Sequence, residues 1–112
     1  MCLRRRFVFV FVPENSYFDR VPMDVRLHIV AQGFVQGVGF RYFVYHHATK
    51  LELVGWVRNL FNGDVEIEVE GNRSVLEIFL DEVKIGPRSA KLKDLHIEWQ
   101  PYENRYTAFE IR

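Results

Sequence analysis

Val25, Leu27, Ile29 and Ala31 alternate with Arg26, His28 and Val30, the period-two pattern of a half-buried strand. From Phe40 the period lengthens. Phe40, Phe43, Val44, His47, Ala48 and Leu51 fall on one face of a helix about three turns long. Gly55-Trp56-Val57-Arg58-Asn59 returns to a strand, and Leu60-Phe61-Asn62-Gly63-Asp64 turns the chain, with Asn62-Gly63 as a hairpin signal. Val65, Ile67 and Val69 then alternate strictly with Glu66, Glu68 and Glu70, which predicts a strand whose glutamate face is solvated. Val75, Leu76, Phe79, Leu80 and Val83 mark a second amphipathic helix, with Ser74 and Glu77 spaced as a capping box and Gly86-Pro87 as its stop. Leu95, Ile97 and Trp99 predict a fourth strand, and Thr107, Phe109 and Ile111 a last one.

The predicted order is therefore βαββαβ plus a terminal strand. Two helices must each bury one stripe, and the strands must bury one face of their sheet. The arrangement that does both is an α+β fold, the ferredoxin-like α/β sandwich, with both helices on one face of a mainly antiparallel sheet of four to five strands. At 112 residues the chain has the length of one domain, and no repeat or low-complexity linker divides residues 23–112.

Residues 1–22 read as an N-terminal extension. Three arginines, Arg4 to Arg6, precede the apolar run Phe7 to Val12, a superficial likeness to a signal peptide. The run is short, and Pro13-Glu14-Asn15 follows it without a small-residue cleavage site. Phe7 to Val12 alternates two β-prone residues, as an added strand or a packing segment would. The simplest expectation is that Met23 is the natural start and that the leader is dispensable.

Composition narrows the function classes. Fifteen basic and fifteen acidic side chains give no net charge, which argues against a bulk electrostatic nucleic-acid binder and leaves room for a local basic pocket. The single cysteine, Cys2, excludes an internal disulfide. No apolar run approaches the roughly 20 residues of a membrane helix. His46 and His47 are neighbours that point in different directions, and with His28 and His96 they show no ligand spacing, so neither a metal nor another cofactor is expected.

The chemistry centres on Val35-Gln36-Gly37-Val38-Gly39-Phe40-Arg41, a glycine loop between a strand and a helix with an arginine in the helix's first turn. A helix N-terminus is partly positive, so a cation there is mildly unfavourable unless an anion occupies the loop. Gly37 and Gly39 can turn successive N–H groups toward one point, and Arg41 adds a planar fork that fits phosphate oxygens in pairs. Asn59, at a strand end, can hold a water with one lone pair while touching a substrate oxygen. Spacing alone favours the plainer reading, a turn asparagine bonded to its own backbone.

Gly33 to Arg41, together with Gly55 to Val65 and on to Gly71, resembles the paired signatures of acylphosphatases, and the likeness runs from about Val25 to Arg112. The resemblance implies the ferredoxin-like fold and hydrolysis of the carboxyl-phosphate bond of a small-molecule acylphosphate, without a metal. It matches Arg41 to the family's phosphate-binding arginine and Asn59 to its water-positioning asparagine. Gln36, Gly37, Val38, Gly39 and Phe40 match the loop whose amides bind the phosphate. Two departures stand out: Phe34 where a basic residue is common, and Glu52 where a glycine often ends the helix. A cytoplasmic monomer without nucleic-acid or membrane partners is expected.

Two other readings compete. One is a noncatalytic acylphosphatase-like domain that binds phosphate or carbamoyl phosphate, as occurs within larger carbamoyl-transferring maturation enzymes. The other is single-stranded RNA binding on the sheet, which would need exposed aromatics and a basic surface. The sequence does not choose among acetyl phosphate, carbamoyl phosphate, a phosphoglycerate anhydride and an acylated protein side chain.

Overall fold

The computed structural model describes residues 23–112, and the expectations for Cys2 and for Phe7 to Val12 lie outside them. The elements are β1 (Asp24–Phe34), α1 (Phe40–Lys50), β2 (Val54–Asn59), β3 (Val65–Asn72), α2 (Arg73–Ile85), β4 (Lys91–Pro101) and β5 (Phe109–Ile111). The strands form one five-stranded sheet in the order β4-β1-β3-β2-β5. All neighbours are antiparallel except β2 and β5, which run parallel with Val57 opposite Ile111. The fold is the expected ferredoxin-like α+β sandwich. Thr107 falls outside the short last strand.

The alternation along the strands sets the two faces. Leu27, Ile29, Ala31, Val57, Val65, Ile67, Val69 and Phe109 are buried on the helix side. There they meet Phe40, Val44 and Ala48 of α1 and Leu76, Phe79, Leu80 and Val83 of α2. Each valine, leucine, isoleucine or phenylalanine among them contributes about 1.5–3 kcal/mol when fully buried, so this layer fixes which face of every strand points inward. α1 lies over β2 and β5, and α2 over β1 and β3. The edge strand β4 is less covered, which leaves Ile97 partly exposed.

The helix ends follow local chemistry. At the start of α2 the cap is Asn72, whose Oδ1 accepts from the Ser74 N–H at 2.9 Å. This replaces the expected Ser74–Glu77 box, and Glu77 instead pairs with Arg73 one turn back. Strand β3 runs straight into the helix, so the capping residue is the last strand residue. At the end of α1, Leu53 N–H donates to Ala48 O and Glu52 N–H to Thr49 O. These are the two bonds of a Schellman motif, with Glu52 in the left-handed conformation at φ 59°.

The glutamate face of β3 is the clearest departure from expectation. Glu70 is 1% exposed and Glu68 7%. The segment between β4 and β5 crosses this face as a strap. Glu70 accepts the Glu103 and Arg105 N–H groups at 2.8 and 2.9 Å, while Glu68 accepts from the Tyr106 hydroxyl and pairs with Arg105 and Arg26. The alternation places the glutamates on the polar face correctly, but the strap keeps water off two of them.

Candidate active site

β1, β2 and β5 share one direction, so their carboxyl ends meet at the same end of the sheet. Three pieces of chain are gathered there: the loop from β1 into α1, Asn59 at the end of β2, and Ile111 with Arg112 at the end of β5. A bulge between Gln32 and Gly33 breaks the β1–β4 register just before the loop and marks where the strand departs from its ladder.

The loop then makes two left-handed steps, Gly37 at φ 74° and Gly39 at φ 83°. Only glycine takes these angles without a steric penalty, and alternating handedness is the backbone form that builds an anion-binding concavity. Gly39 is also the N-cap of α1. It offers no capping side chain, and the first turn holds no acidic residue. The first amides of α1 thus have neither the side-chain cap that Asn72 gives α2 nor a carboxylate, and Arg41 sits among them.

A cleft of about 270 Å³ opens above these amides, lined by Val35, Gly37, Gly39, Phe40, Arg41, Tyr42 and Ile111. Tyr42 and Ile111 add an apolar wall. A methyl group added at Gly37 or Gly39 would meet no atom within 4 Å, so the space above the loop is open. Arg41 is half-buried and donates from Nη1 to the Arg112 main-chain carbonyl at 3.0 Å. The Arg112 N–H in turn donates to Val57 O at 2.8 Å. Asn59 lies two residues beyond Val57 on the same face of β2, about 7 Å further along. Among the described residues its side-chain amide has no hydrogen-bond partner, whereas Asn62 bonds Asp64 within the turn. Asn62 is the turn asparagine.

The expected site residues lie toward one end of the sheet but are not equivalent, and Asn59 is not among the residues that line the cleft. Gly37, Gly39, Phe40 and Arg41 line the cleft, with the Phe40 side chain buried in the core beneath it. Val38 packs against the core, and its carbonyl accepts from the Ser89 hydroxyl at 2.6 Å. The Gln36 side chain reaches the β2–β3 turn, donating to Leu60 O and Asp64 O. Sequence reasoning missed Tyr42 and Ile111. Tyr42 follows Arg41 directly and was within reach of a helix-face argument. Ile111 lies about seventy residues further on, and nothing local marks it.

The other cations near this end face away. Arg58 and Arg112 lie over the Trp56 ring at 4.8 and 5.2 Å, on the strap side of the sheet. There Glu66 accepts from Arg58 and pairs with His28, each at 2.7 Å. Burial would raise the Glu66 pKa, but the hydrogen bonds from His28 and Arg58 outweigh it and hold the carboxyl below its ordinary value. Tyr106 moves the other way, raised by burial and by its bond to Glu68. No helix among the described residues is long and apolar enough to cross a membrane.

Known proteins resemble this chain in sequence and in fold. The family model described as Acylphosphatase matches residues 27–111. The chain is 53% identical over 86 residues to the acylphosphatase of Geobacillus kaustophilus (strain HTA426), covering 77% of this chain and 92% of that one. The crystal structure of acylphosphatase from Bacillus subtilis superposes with a TM-score of 0.76 at 39% identity, over 79% of this chain and 98% of its own. Full-length HypF in its phosphate- and nucleotide-bound form is similar at a TM-score of 0.73 and 33% identity, over 83% of this chain but 12% of HypF. The chain belongs to the acylphosphatase family, the hydrolases of the carboxyl-phosphate bond of acylphosphates.

Proposed function

We propose that Arg41 and the amides of Gln36 to Arg41 hold the phosphoryl group of an acylphosphate, and that Asn59 positions the attacking water. The observation that supports this most directly is an uncapped helix N-terminus with a guanidinium in its first turn, opening into a cleft at the strand ends. Water attacks phosphorus as the bond to the acyl oxygen breaks, and the acyl group leaves as a carboxylate. With a conjugate-acid pKa near 4, about that of a free Asp or Glu, that group needs no general acid. The water's proton passes to a phosphoryl oxygen of the substrate itself. In such a loose transition state the protein's work is positioning and charge stabilisation. Each well-placed donor contributes about 3 kcal/mol. The apolar wall of Tyr42 and Ile111 offers the acyl group a neutral surface.

The test is hydrolysis of benzoyl phosphate with EDTA present, comparing wild type with folded Arg41→Gln and Asn59→Ala. Turnover in the wild type and its loss in both variants is the expected result. An inactive, folded wild type would instead favour a phosphate-binding domain without catalysis. RNA binding finds little support, since Trp56 is covered by Arg58 and Arg112 and the same face carries Glu66, Glu68 and Glu70. The proposed unit is residues 23–112, acting as a cytoplasmic monomer, with residues 1–22 dispensable. A chain truncated to Met23 that keeps its circular dichroism but loses all turnover would overturn the last point.

A further inference from the structure

We infer that the Gln36 side chain is a positioning residue, tying the phosphate cradle to the β2–β3 turn and so setting where Asn59 stands relative to the bound phosphorus. This rests on the roles proposed for Arg41 and Asn59. Gln36 belongs to the cradle loop in sequence, but its side chain is not part of the cleft lining. Its Nε2 donates to Leu60 O at 2.7 Å and to Asp64 O at 2.8 Å. A carboxamide nitrogen carries two hydrogens, and both are committed here to main-chain carbonyls of another loop.

Those carbonyls are the two ends of the turn. Leu60 directly follows Asn59, and Asp64 directly precedes Val65, the β3 partner of Asn59. The turn is stiff within itself: Leu60 N–H donates to Asp64 O at 2.8 Å, Gly63 N–H to Leu60 O at 3.2 Å, and Asp64 N–H to Asn62 Oδ1 at 3.0 Å. Among the described residues it has little other attachment to the loop proposed to hold the phosphate. Gln32 Nε2 approaches Asp64 Oδ2 at 3.5 Å, the outer limit of a hydrogen bond, which leaves Gln36 as the strong link. Nucleophile and phosphorus must be held about 3–3.5 Å apart, and a misplacement of about 1 Å costs on the order of 100-fold in rate. The cradle and Asn59 come from different strands, connected through β3 and through Arg41, Arg112 and Val57, and the Gln36 side chain adds the direct tie between their loops.

The experiment is a double-mutant cycle between Gln36 and Asn59, using Gln36→Met, which keeps length without donors, and Gln36→Glu, which sets a carboxylate against the two carbonyls. Values of kcat and KM for benzoyl phosphate, inhibition by inorganic phosphate, and melting temperature are measured for each variant, alone and with Asn59→Ala. In the Asn59 background both variants should lower kcat by about 10-fold or more, with KM and phosphate inhibition changed less than about 3-fold. Combined with Asn59→Ala, either change should cost less than about 2-fold further, because the group it positions is gone. An equal fold-loss in both backgrounds would mark a merely structural role and overturn the inference, as would a loss confined to KM and phosphate inhibition. If Asn59→Ala itself keeps wild-type turnover, the role proposed for Asn59 fails first, and the position of Gln36 fails with it.

Discussion

The Arg41 guanidinium donates to the main-chain carbonyl of Arg112 at 3.0 Å, so a side chain from the first turn of α1 is steadied by the chain leaving β5. One of its five N–H donors is used in this way, and the rest of the fork remains for the cleft. A lysine at this position has a single ammonium on a flexible stem, and cannot both hold that carbonyl and grip two phosphoryl oxygens. Arg41→Lys is expected to lower kcat/KM for benzoyl phosphate by about 100-fold or more, with an unchanged melting profile. Turnover within a few-fold of wild type would remove Arg41 from its proposed role.

Glu52 holds the left-handed position of a Schellman motif that glycine usually fills. A residue with a Cβ pays about 1–2 kcal/mol for that conformation. Glycine escapes this penalty but loses about 0.5–1 kcal/mol through greater unfolded-state freedom. Glu52→Gly is therefore expected to stabilise the protein by up to about 1 kcal/mol, read as a higher urea midpoint with an unchanged slope. A lower midpoint would show that the Glu52 backbone is not strained.

Acid should act partly through Glu66, whose carboxyl lies below its ordinary value because His28 and Arg58 hydrogen-bond to it despite burial. A carboxyl group with a lowered folded-state pKa contributes stability that is complete above the unfolded value, about 4.5, and is lost as pH falls through the folded one. Glu66→Gln should melt lower than wild type at neutral pH, yet lose less as pH falls below about 4.5. Parallel melting curves across that range would assign the acid sensitivity to other groups.

Glu70 anchors the strap by accepting the Glu103 and Arg105 N–H groups from a position 1% exposed. Glu70→Ala removes two charge-assisted hydrogen bonds and leaves a void beneath the strap. The expected cost is about 2–4 kcal/mol of unfolding free energy, measured in urea. The strap covers the face away from the cleft, so kcat should stay within about 3-fold of wild type below the unfolding transition. A large loss of kcat in the folded variant would mean that the strap reaches the site.

Periodicity made the element order and the inward faces legible, because every strand from β1 to β3 and both helices bury one regular stripe. The glycine loop and Arg41 were legible because the chemistry of a helix start is local. Three features were not. Glu68 and Glu70 sit on the polar face as their alternation requires, but an irregular segment about thirty-five residues away covers them, and no period announces a strap. Asn72 and Ser74 are both capping residues, and only the absence of a loop between β3 and α2 decides for Asn72. The tie from the Gln36 side chain to the β2–β3 turn was not legible either, since its hydrogen bonds span 24 and 28 residues.

The pairing of β5 with β2 has a consequence for how the protein acquires activity. Arg41 and the carbonyl that steadies it are 71 residues apart, and Ile111 reaches the cleft only when β5 has docked beside β2. Contacts this distant must repay the entropy of closing a long loop. Without β5 in place, the glycine loop and Asn59 would lack one wall of the cleft and the brace on the guanidinium. Regain of turnover after dilution from urea should therefore require the docking of the final strand.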